Sequence, residues 1–178
     1  TKKMTDIHQY KILILDFGSQ YTQLIARRVR EIGVYSEIHP FDVSNDFIEK
    51  FGATGIILSG GPENITTNSS IIAPNIVFEL GIPVLGICYG MHTMAVQLGG
   101  NAVVSKKAEF GFAEIRTRKR SPLFINIEDK SNEQGHGLLE VWMSHGIEVN
   151  DMPPGFIRIA SSNNCEIAGM ANIEKNLY

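Results

Sequence analysis

The chain has 178 residues, a length that suits one domain with a substantial core. Its hydrophobic content of 43% is ordinary for a globular enzyme, and its net charge of −3 gives no general attraction for nucleic acid or an anionic membrane. The N-terminal residues are polar and no apolar stretch reaches the roughly 20 residues that span a bilayer, so no signal peptide or membrane segment is expected. The two cysteines, Cys88 and Cys165, form no metal or redox pattern, and a reducing cytoplasm is the setting that we expect.

The first hundred residues alternate between buried strands and amphipathic helices. The predicted strands cover residues 11–15, 35–39, 55–59 and 83–87, and the predicted helices cover residues 20–32, 44–51, 73–80 and 90–98. Gly33 is expected to end the first helix and Ser44 to cap the second. These repeats predict a mostly parallel sheet with right-handed crossovers, in which ligands bind beyond the carboxyl ends of the strands. The candidate site loops are therefore residues 16–20, 59–63 and 86–90.

After Ala102 the pattern changes to short alternating segments, which predict antiparallel or mixed strands at the edge of the sheet. The predicted strands here cover residues 113–117, 139–143, 156–160 and 166–171. A hairpin turn is expected at residues 174–176, and the basic run at residues 116–120 is interpreted as a solvated strand end or turn. No repeat or linker divides the chain, so residues 1–9 are interpreted as an N-terminal tail and residues 10–178 as one domain.

The segment Gly86-Ile87-Cys88-Tyr89-Gly90 has the pattern of a nucleophile elbow with cysteine in place of the usual serine. A buried strand precedes it and a helix follows it. Glycines on both sides remove the Cβ atoms that would clash in so sharp a turn. At a helix N-terminus the positive end of the dipole favours a thiolate, and backbone N–H groups can hold an oxyanion. The alternative interpretation is a buried structural cysteine in a glycine-rich turn.

Five motifs together resemble the class I, triad-type glutamine amidotransferases, and among them the amidotransferase domains of glutamine-hydrolysing GMP synthases. In chain order they are residues 14–21 (ILDFGSQY), 58–63 (LSGGPE), 86–91 (GICYGM), 109–111 (EFG) and 141–146 (VWMSHG). The resemblance covers Tyr10 to Tyr178. It implies a three-layer, flavodoxin-like α/β fold with a mostly parallel sheet and a mixed or antiparallel edge.

The resemblance implies that Cys88 attacks the side-chain amide carbon of glutamine, that ammonia leaves, and that water hydrolyses the glutamyl thioester to glutamate. The backbone N–H groups of Gly61 and Tyr89 match the oxyanion hole of the family. The positions that match substrate contacts are Gly60, His92, Ser144, Gly146 and Ile147.

Two of these positions depart from the usual pattern of the family. His92 stands where glutamine is common, one helical turn after Cys88, and it is either a substrate contact or a helix-surface residue without a role. Ile147 stands where many GMP synthases have aspartate, a mild change if only its backbone touches the substrate.

The resemblance also implies parts that fall outside these residues. The catalytic His and Glu of the family are expected beyond Tyr178, in a strand that the sequence only begins, and His145 is not expected to replace them. The ammonia would pass to an ATP pyrophosphatase (synthetase) domain, on the same chain or on a separate subunit. That domain uses ATP and Mg²⁺ to aminate xanthosine monophosphate to GMP, and a homodimer would form through it. No cofactor and no metal are implied for the amidotransferase domain itself.

Two other functions stay open. One is the glutaminase of another triad-type amidotransferase, such as an anthranilate or aminodeoxychorismate synthase, although residues 16–21 and 142–146 argue against it. The other is a non-catalytic binding or regulatory domain that keeps a glutamine pocket without turnover. The expected position of the catalytic His and Glu outside the chain gives that function weight.

Overall fold

The computed structural model describes residues 6–61, 71–118 and 121–178. The chain forms two compact units, residues 1–93 and residues 94–178, which are described in turn. The interpretation of residues 1–9 as a tail falls partly outside the described residues.

The first unit is built on a parallel sheet of four strands. These are β1 (Lys11–Asp16), β2 (Tyr35–Pro40), β3 (Gly55–Leu58) and β4 (Val84–Gly86), in the order β2-β1-β3-β4. The order is that of the first four strands in flavodoxin-like sheets. The apolar run in the inner strand β1 is explained by its burial, since Leu13, Ile14 and Leu15 are all 0% exposed.

Three α-helices follow strands of this sheet along the chain: α1 (Thr22–Glu31), α2 (Asn45–Phe51) and α3 (Tyr89–Gln97), the last of which runs across the boundary at residue 93. Both predicted helix boundaries are confirmed. Gly33, with φ of 81°, follows the end of α1, and the Ser44 hydroxyl accepts a hydrogen bond of 3.2 Å from the Phe47 N–H at the start of α2.

The helix predicted over residues 73–80 is wrong in type and length. The structure forms only a 3-10 turn at Asn75–Phe78. Pro74 has an extended backbone with ψ of 128°, so helical turning cannot begin before Asn75. Gly81 then takes a left-handed φ of 75°, which leaves room for little more than one turn.

The second unit contains an antiparallel sheet of five strands. They are β5 (Asn101–Thr117), β6 (Lys130–Ser131), β7 (Gly137–Asp151), β8 (Ile157–Ser161) and β9 (Gly169–Ala171), in the order β6-β7-β5-β8-β9. Between β5 and β6 the chain forms a 3-10 turn at Pro122–Phe124. The sheet packs on a core formed by Ile115, Phe124, Ile159, Ala160 and Ala171.

The predicted strands at residues 113–117 and 139–143 lie at one end of a much longer β5–β7 pair. The sequence pattern missed the rest of the pair because several large side chains there face solvent, including Val104, Phe110 and Phe112, which are 69–73% exposed. The hairpin turn expected at residues 174–176 is confirmed, since Asn172 and Leu177 form an antiparallel bridge across it.

The predicted α/β fold class is confirmed. One detail differs, because the antiparallel strands form a sheet of their own, whereas the sequence pattern predicted them at the edge of the parallel sheet. The alternating pattern predicts strands but carries no information on which sheet they join.

Candidate active site

Cys88 lies in the sharp turn between β4 and α3. Its φ is 51°, a left-handed conformation that is uncommon for any residue except glycine. A Cβ atom on Gly90 would lie 2.7 Å from the Cβ of Leu58, and one on Gly86 would lie 2.7 Å from the backbone of Gly90. Both distances are too short for real atoms, so the turn requires glycine at both positions. This is the geometry of a nucleophile elbow.

The loop after β3 lies directly beside the elbow. A Cβ atom on Gly60 would be 3.3 Å from the Cβ of Cys88, and one on Gly61 would be 2.6 Å from the carbonyl oxygen of Phe17. The Phe17 N–H, in the loop after β1, donates to the Ser59 hydroxyl at 3.1 Å. The loops that follow three parallel strands therefore meet at one edge of the sheet, as the sequence predicted.

Tyr89 is the first residue of α3, and its side chain is fully packed. It is 2% exposed, its ring centroid lies 5.5 Å from that of Phe17, and its hydroxyl donates to the carbonyl oxygen of Ile71. These contacts hold the start of α3 in place. A chemical role for Tyr89 therefore falls to its backbone and not to its phenol.

The two cysteines differ in exposure and acidity. Cys88 is exposed and Cys165 is buried. Although Cys88 reaches the surface, the protein around its thiol displaces part of the water that would solvate a thiolate, and this desolvation raises the pKa of Cys88 above its ordinary value. This desolvation opposes the stabilisation of a thiolate that is expected from the helix N-terminus. Burial, with help from the charges of Glu148 and Glu109, raises the pKa of Cys165 to about 11.

His92 lies on α3, and its backbone N–H donates to the carbonyl oxygen of Cys88 at 3.0 Å. Its side chain is buried, with an exposure of 8%. The interpretation as a solvent-facing helix residue is therefore wrong. The next three residues of α3, Thr93, Met94 and Ala95, are also buried. This part of the helix therefore has little surface exposed to solvent.

The other predicted substrate positions lie together on β7, in the second unit. Ser144 is exposed, Gly146 is half-buried, and Ile147 is 6% exposed. The register of β5 and β7 shifts at this point: Ile147 pairs with Val104 and His145 with Glu109, so residues 105–108 lie opposite the single residue Gly146. A Cβ atom on Gly146 would meet nothing within 4 Å. The predicted site residues thus form two groups, one around Cys88 and one on β7.

Glu109 belongs to the motif at residues 109–111, but the sequence pattern predicted no role for it. It is 9% exposed, and its carboxylate binds the His145 ring and the Ser162 hydroxyl. The one sequence signal was its place in that motif, because the local pattern does not indicate that the carboxylate is buried.

A cavity of about 890 Å³ in the second unit contains none of the predicted site residues. Its lining includes Arg116, Arg118 and Arg158, the last of which pairs with Glu166 at 3.1 Å. Arg116 and Arg118 are exposed, as expected for a solvated strand end, and residues 119–120 of the basic run lie outside the described residues.

Two features are absent from the part of the chain that the structure describes. It contains no group of three or more His, Cys, Asp or Glu side chains that could hold a metal ion. It also contains no helix that is long and apolar enough to cross a membrane.

The elbow, the glycine loop beside it and the flavodoxin-like strand order together form the geometry of a candidate site with a cysteine nucleophile. The family model for glutamine amidotransferase class-I matches residues 13–178. The chain therefore belongs to the class-I glutamine amidotransferase family.

Individual proteins of known name show a more specific similarity than the family model does. The chain is 62% identical over 175 residues to the GMP synthase [glutamine-hydrolyzing] of Ruthia magnifica, and 63% identical over 171 residues to that of Aromatoleum aromaticum. These matches cover 98% and 96% of this chain but 33% of each relative, so the chain spans about a third of their length. The crystal structure of a GMP synthase subunit from Thermoplasma acidophilum aligns with a TM-score of 0.77 and 28% identity, over 95% of this chain and 81% of the other.

Replacing Gly90 by alanine tests the packing that forms the elbow. We expect Gly90→Ala to lower the free energy of unfolding by about 2–3 kcal/mol, because its Cβ would collide with Leu58. Gly33→Ala is the control: its left-handed backbone costs about 1–2 kcal/mol, but its Cβ meets nothing within 4 Å. Urea unfolding measures both. Equal losses in the two variants would contradict the proposed collision.

Alkylation tests the difference between the two thiols. At pH 8 we expect iodoacetamide to label Cys88 and to leave Cys165 largely unmodified in the folded protein, as mapped by peptide mass spectrometry. The labelling rate of Cys88 should still rise above pH 9, because a raised pKa keeps the reactive thiolate a minority until the pH exceeds that value. A rate that is already constant at pH 7 would contradict the raised pKa, and labelling chiefly at Cys165 would remove Cys88 from the site.

Substitution of His92 tests whether its side chain supports the fold. We expect His92→Ala to lower the free energy of unfolding by about 1–3 kcal/mol, because it removes a buried polar side chain. His92→Gln, which keeps a polar side chain, should cost less. Thermal melts and labelling of Cys88 by a glutamine-like alkylator measure stability and recognition separately. An unchanged melting temperature with weakened recognition would instead make His92 a substrate contact.

Proposed function

We propose that this chain is the glutaminase domain of a glutamine-hydrolysing GMP synthase, with residues 10–178 forming the amidotransferase domain of a cytoplasmic enzyme. The observation that carries the proposal is the Cys88 elbow beside Gly60, in a chain about 60% identical to proteins with that name. Those relatives are about three times as long as the matched region, so the synthetase activity belongs to a part that these residues do not include.

Each predicted site residue receives a role in this proposal. Cys88 is the nucleophile, and the N–H groups of Gly61 and Tyr89 stabilise the oxyanion that forms when it attacks the amide carbon. One such donor is typically worth ~100- to 1000-fold in rate. Gly60 leaves room for the substrate beside the thiol. The strand residues Ser144, Gly146 and Ile147 hold the α-amino and α-carboxylate groups of glutamine, largely through backbone atoms, and His92 supports the first turns of α3.

The chemistry follows from the acidity of the thiol. Because its pKa is raised, Cys88 needs a base to take its proton when sulfur attacks the amide carbon. The tetrahedral intermediate then breaks its C–N bond, and the nitrogen leaves as ammonia after receiving that proton. Water adds to the thioester, the C–S bond breaks, and glutamate leaves with the thiol restored. Such acid–base help is typically worth ~100- to 10,000-fold. The family resemblance assigns it to a His and a Glu outside residues 1–178.

Glutamine is thus the substrate, and the second partner is an ATP pyrophosphatase domain that receives the ammonia. In that domain ATP and Mg²⁺ would activate xanthosine monophosphate for amination to GMP. The glutaminase reaction itself needs no cofactor, since a thiol, a base and an oxyanion hole suffice for amide hydrolysis. Any homodimer would be formed by the synthetase domain.

Comparing two nitrogen sources tests this function. In the full-length product of the gene that encodes this chain, we expect Cys88→Ala to abolish GMP formation from glutamine and to leave GMP formation from ammonium salts unchanged. The reason is that free ammonia bypasses the thiol. Formation of GMP is followed from xanthosine monophosphate and ATP with Mg²⁺, at saturating concentrations of either nitrogen source.

Cys165→Ala is the matched control and should keep both activities. Glutamine-dependent GMP formation that survives Cys88→Ala would reject Cys88 as the nucleophile. Glutamine binding without ammonia release in the unmodified protein would favour the non-catalytic domain. Ammonia release without any amination of xanthosine monophosphate would favour another triad-type amidotransferase.

A further inference from the structure

The carboxylate of Glu109 is the centre of a buried hydrogen-bond network in the second unit. It lies on β5, and its oxygens accept from the Ser162 hydroxyl at 2.9–3.0 Å and face the His145 Nε2 at 3.1 Å. The side chains of Glu109 and His145 are each 9% exposed. The Ser162 oxygen is fixed in turn, because it accepts from the N–H of Cys165 at 3.0 Å and from that of Asn164 at 3.3 Å.

The His145 ring connects this carboxylate to the backbone of its own strand. Its Nδ1 lies 3.2 Å from the carbonyl oxygen of Ile147, while its Nε2 faces Glu109. Both partners are acceptors. A neutral imidazole carries one N–H and satisfies one of them, whereas an imidazolium donates to both. The ring is thus held between the Glu109 carboxylate at Nε2 and the Ile147 carbonyl at Nδ1.

This contact lies beside the break in the β5–β7 ladder. The pair His145–Glu109 is the last regular pair before residues 105–108 bulge opposite Gly146. The bulge is itself held by Ser105, whose hydroxyl donates to Glu148 at 3.2 Å and accepts from the Lys107 N–H. The ladder is therefore interrupted at Gly146, between the pairs made by His145 and Ile147, and side-chain contacts add to the ladder in fixing the backbone there.

We propose that Glu109 is a positioning residue for glutamine recognition. Through His145 it holds the Ile147 carbonyl, and so fixes the backbone of residues 144–147 in the shape that receives the α-amino and α-carboxylate groups. This inference rests on the proposed function, which makes that segment the binding site for these groups. Glu109 itself touches neither the substrate nor Cys88 in this role.

The test compares two alkylators of Cys88. A glutamine-like chloroketone must be recognised by its α-groups before it reacts, whereas iodoacetamide has no such groups. The ratio of the two labelling rates therefore reports recognition and cancels changes in thiol reactivity. Glu109→Ala should lower this ratio about 10- to 100-fold, the effect of losing one charge-assisted hydrogen bond. Glu109→Gln, whose amide oxygen can still accept from Nε2–H, should recover part of the loss, and Ser162→Ala should give a smaller decrease.

Glu114→Gln is the matched control, because it removes a carboxylate from the same strand that pairs with Lys130 on the exposed surface. It should leave the ratio unchanged. If Glu109→Ala does not fold, as judged by circular dichroism, Glu109→Gln and Ser162→Ala decide the question.

The outcomes separate the two proposals. If the unmodified protein reacts no faster with the chloroketone than with iodoacetamide, the proposed glutaminase function fails and this inference fails with it. If the unmodified protein shows the preference and folded Glu109 and Ser162 variants keep it, only the positioning role is overturned. An equal decrease in Glu114→Gln would also overturn it, because the effect would then be one of general charge.

Discussion

The position of Cys88 depends on how closely the start of α3 approaches β3. Gly90 lies so near Leu58 that no side chain fits between the two backbones, and Gly86 has no room for one against Gly90. This contact forces the chain through the left-handed conformation at Cys88 and brings the thiol beside Gly60. The burial of Leu58 at 0% exposure makes β3 a rigid surface for this approach. The reactive geometry is thus a consequence of core packing in the parallel sheet.

That same packing affects the electrostatics of the thiol. The fractional positive charge at a helix N-terminus favours a thiolate, but its effect fades within one turn of the helix. The surrounding chain removes water from the sulfur, and this desolvation raises the pKa of Cys88. A neutral resting thiol is less open to oxidation and adventitious alkylation than a thiolate. A neutral thiol, however, needs a base that removes its proton once the substrate is bound.

The sequence predicted the parallel sheet well because its signals are local and strong. The apolar run of β1, the cap at Ser44 and the glycine at position 33 each have one physical explanation. It also predicted the elbow, since glycines around a cysteine after a buried strand have few other uses. The extent of β5 and β7 could not be predicted, because exposed aromatic residues such as Phe110 and Phe112 interrupt the alternation of apolar and polar residues.

Residues that act by positioning other residues are the hardest to predict from the sequence. The burial of His92 and the contacts of Glu109 depend on the packing of distant segments, since Glu109 meets Ser162 from 53 positions along the chain. Local pattern and spacing carry no trace of such a pairing. Motif resemblance can mark the residue, but only the contacts give it a mechanism.

Ile147 shows how a backbone site tolerates an unusual side chain. Where many GMP synthases have aspartate, this chain has an isoleucine that is 6% exposed and packed inward. Its carbonyl oxygen, which any residue supplies, is the atom that contacts the His145 ring at 3.2 Å. If recognition of the amino-acid groups depends on the shape of this backbone, the side chain is free to serve the core of the second unit. A particular side chain is then required not at position 147 but in the His145–Glu109 pair, which would hold that backbone in place.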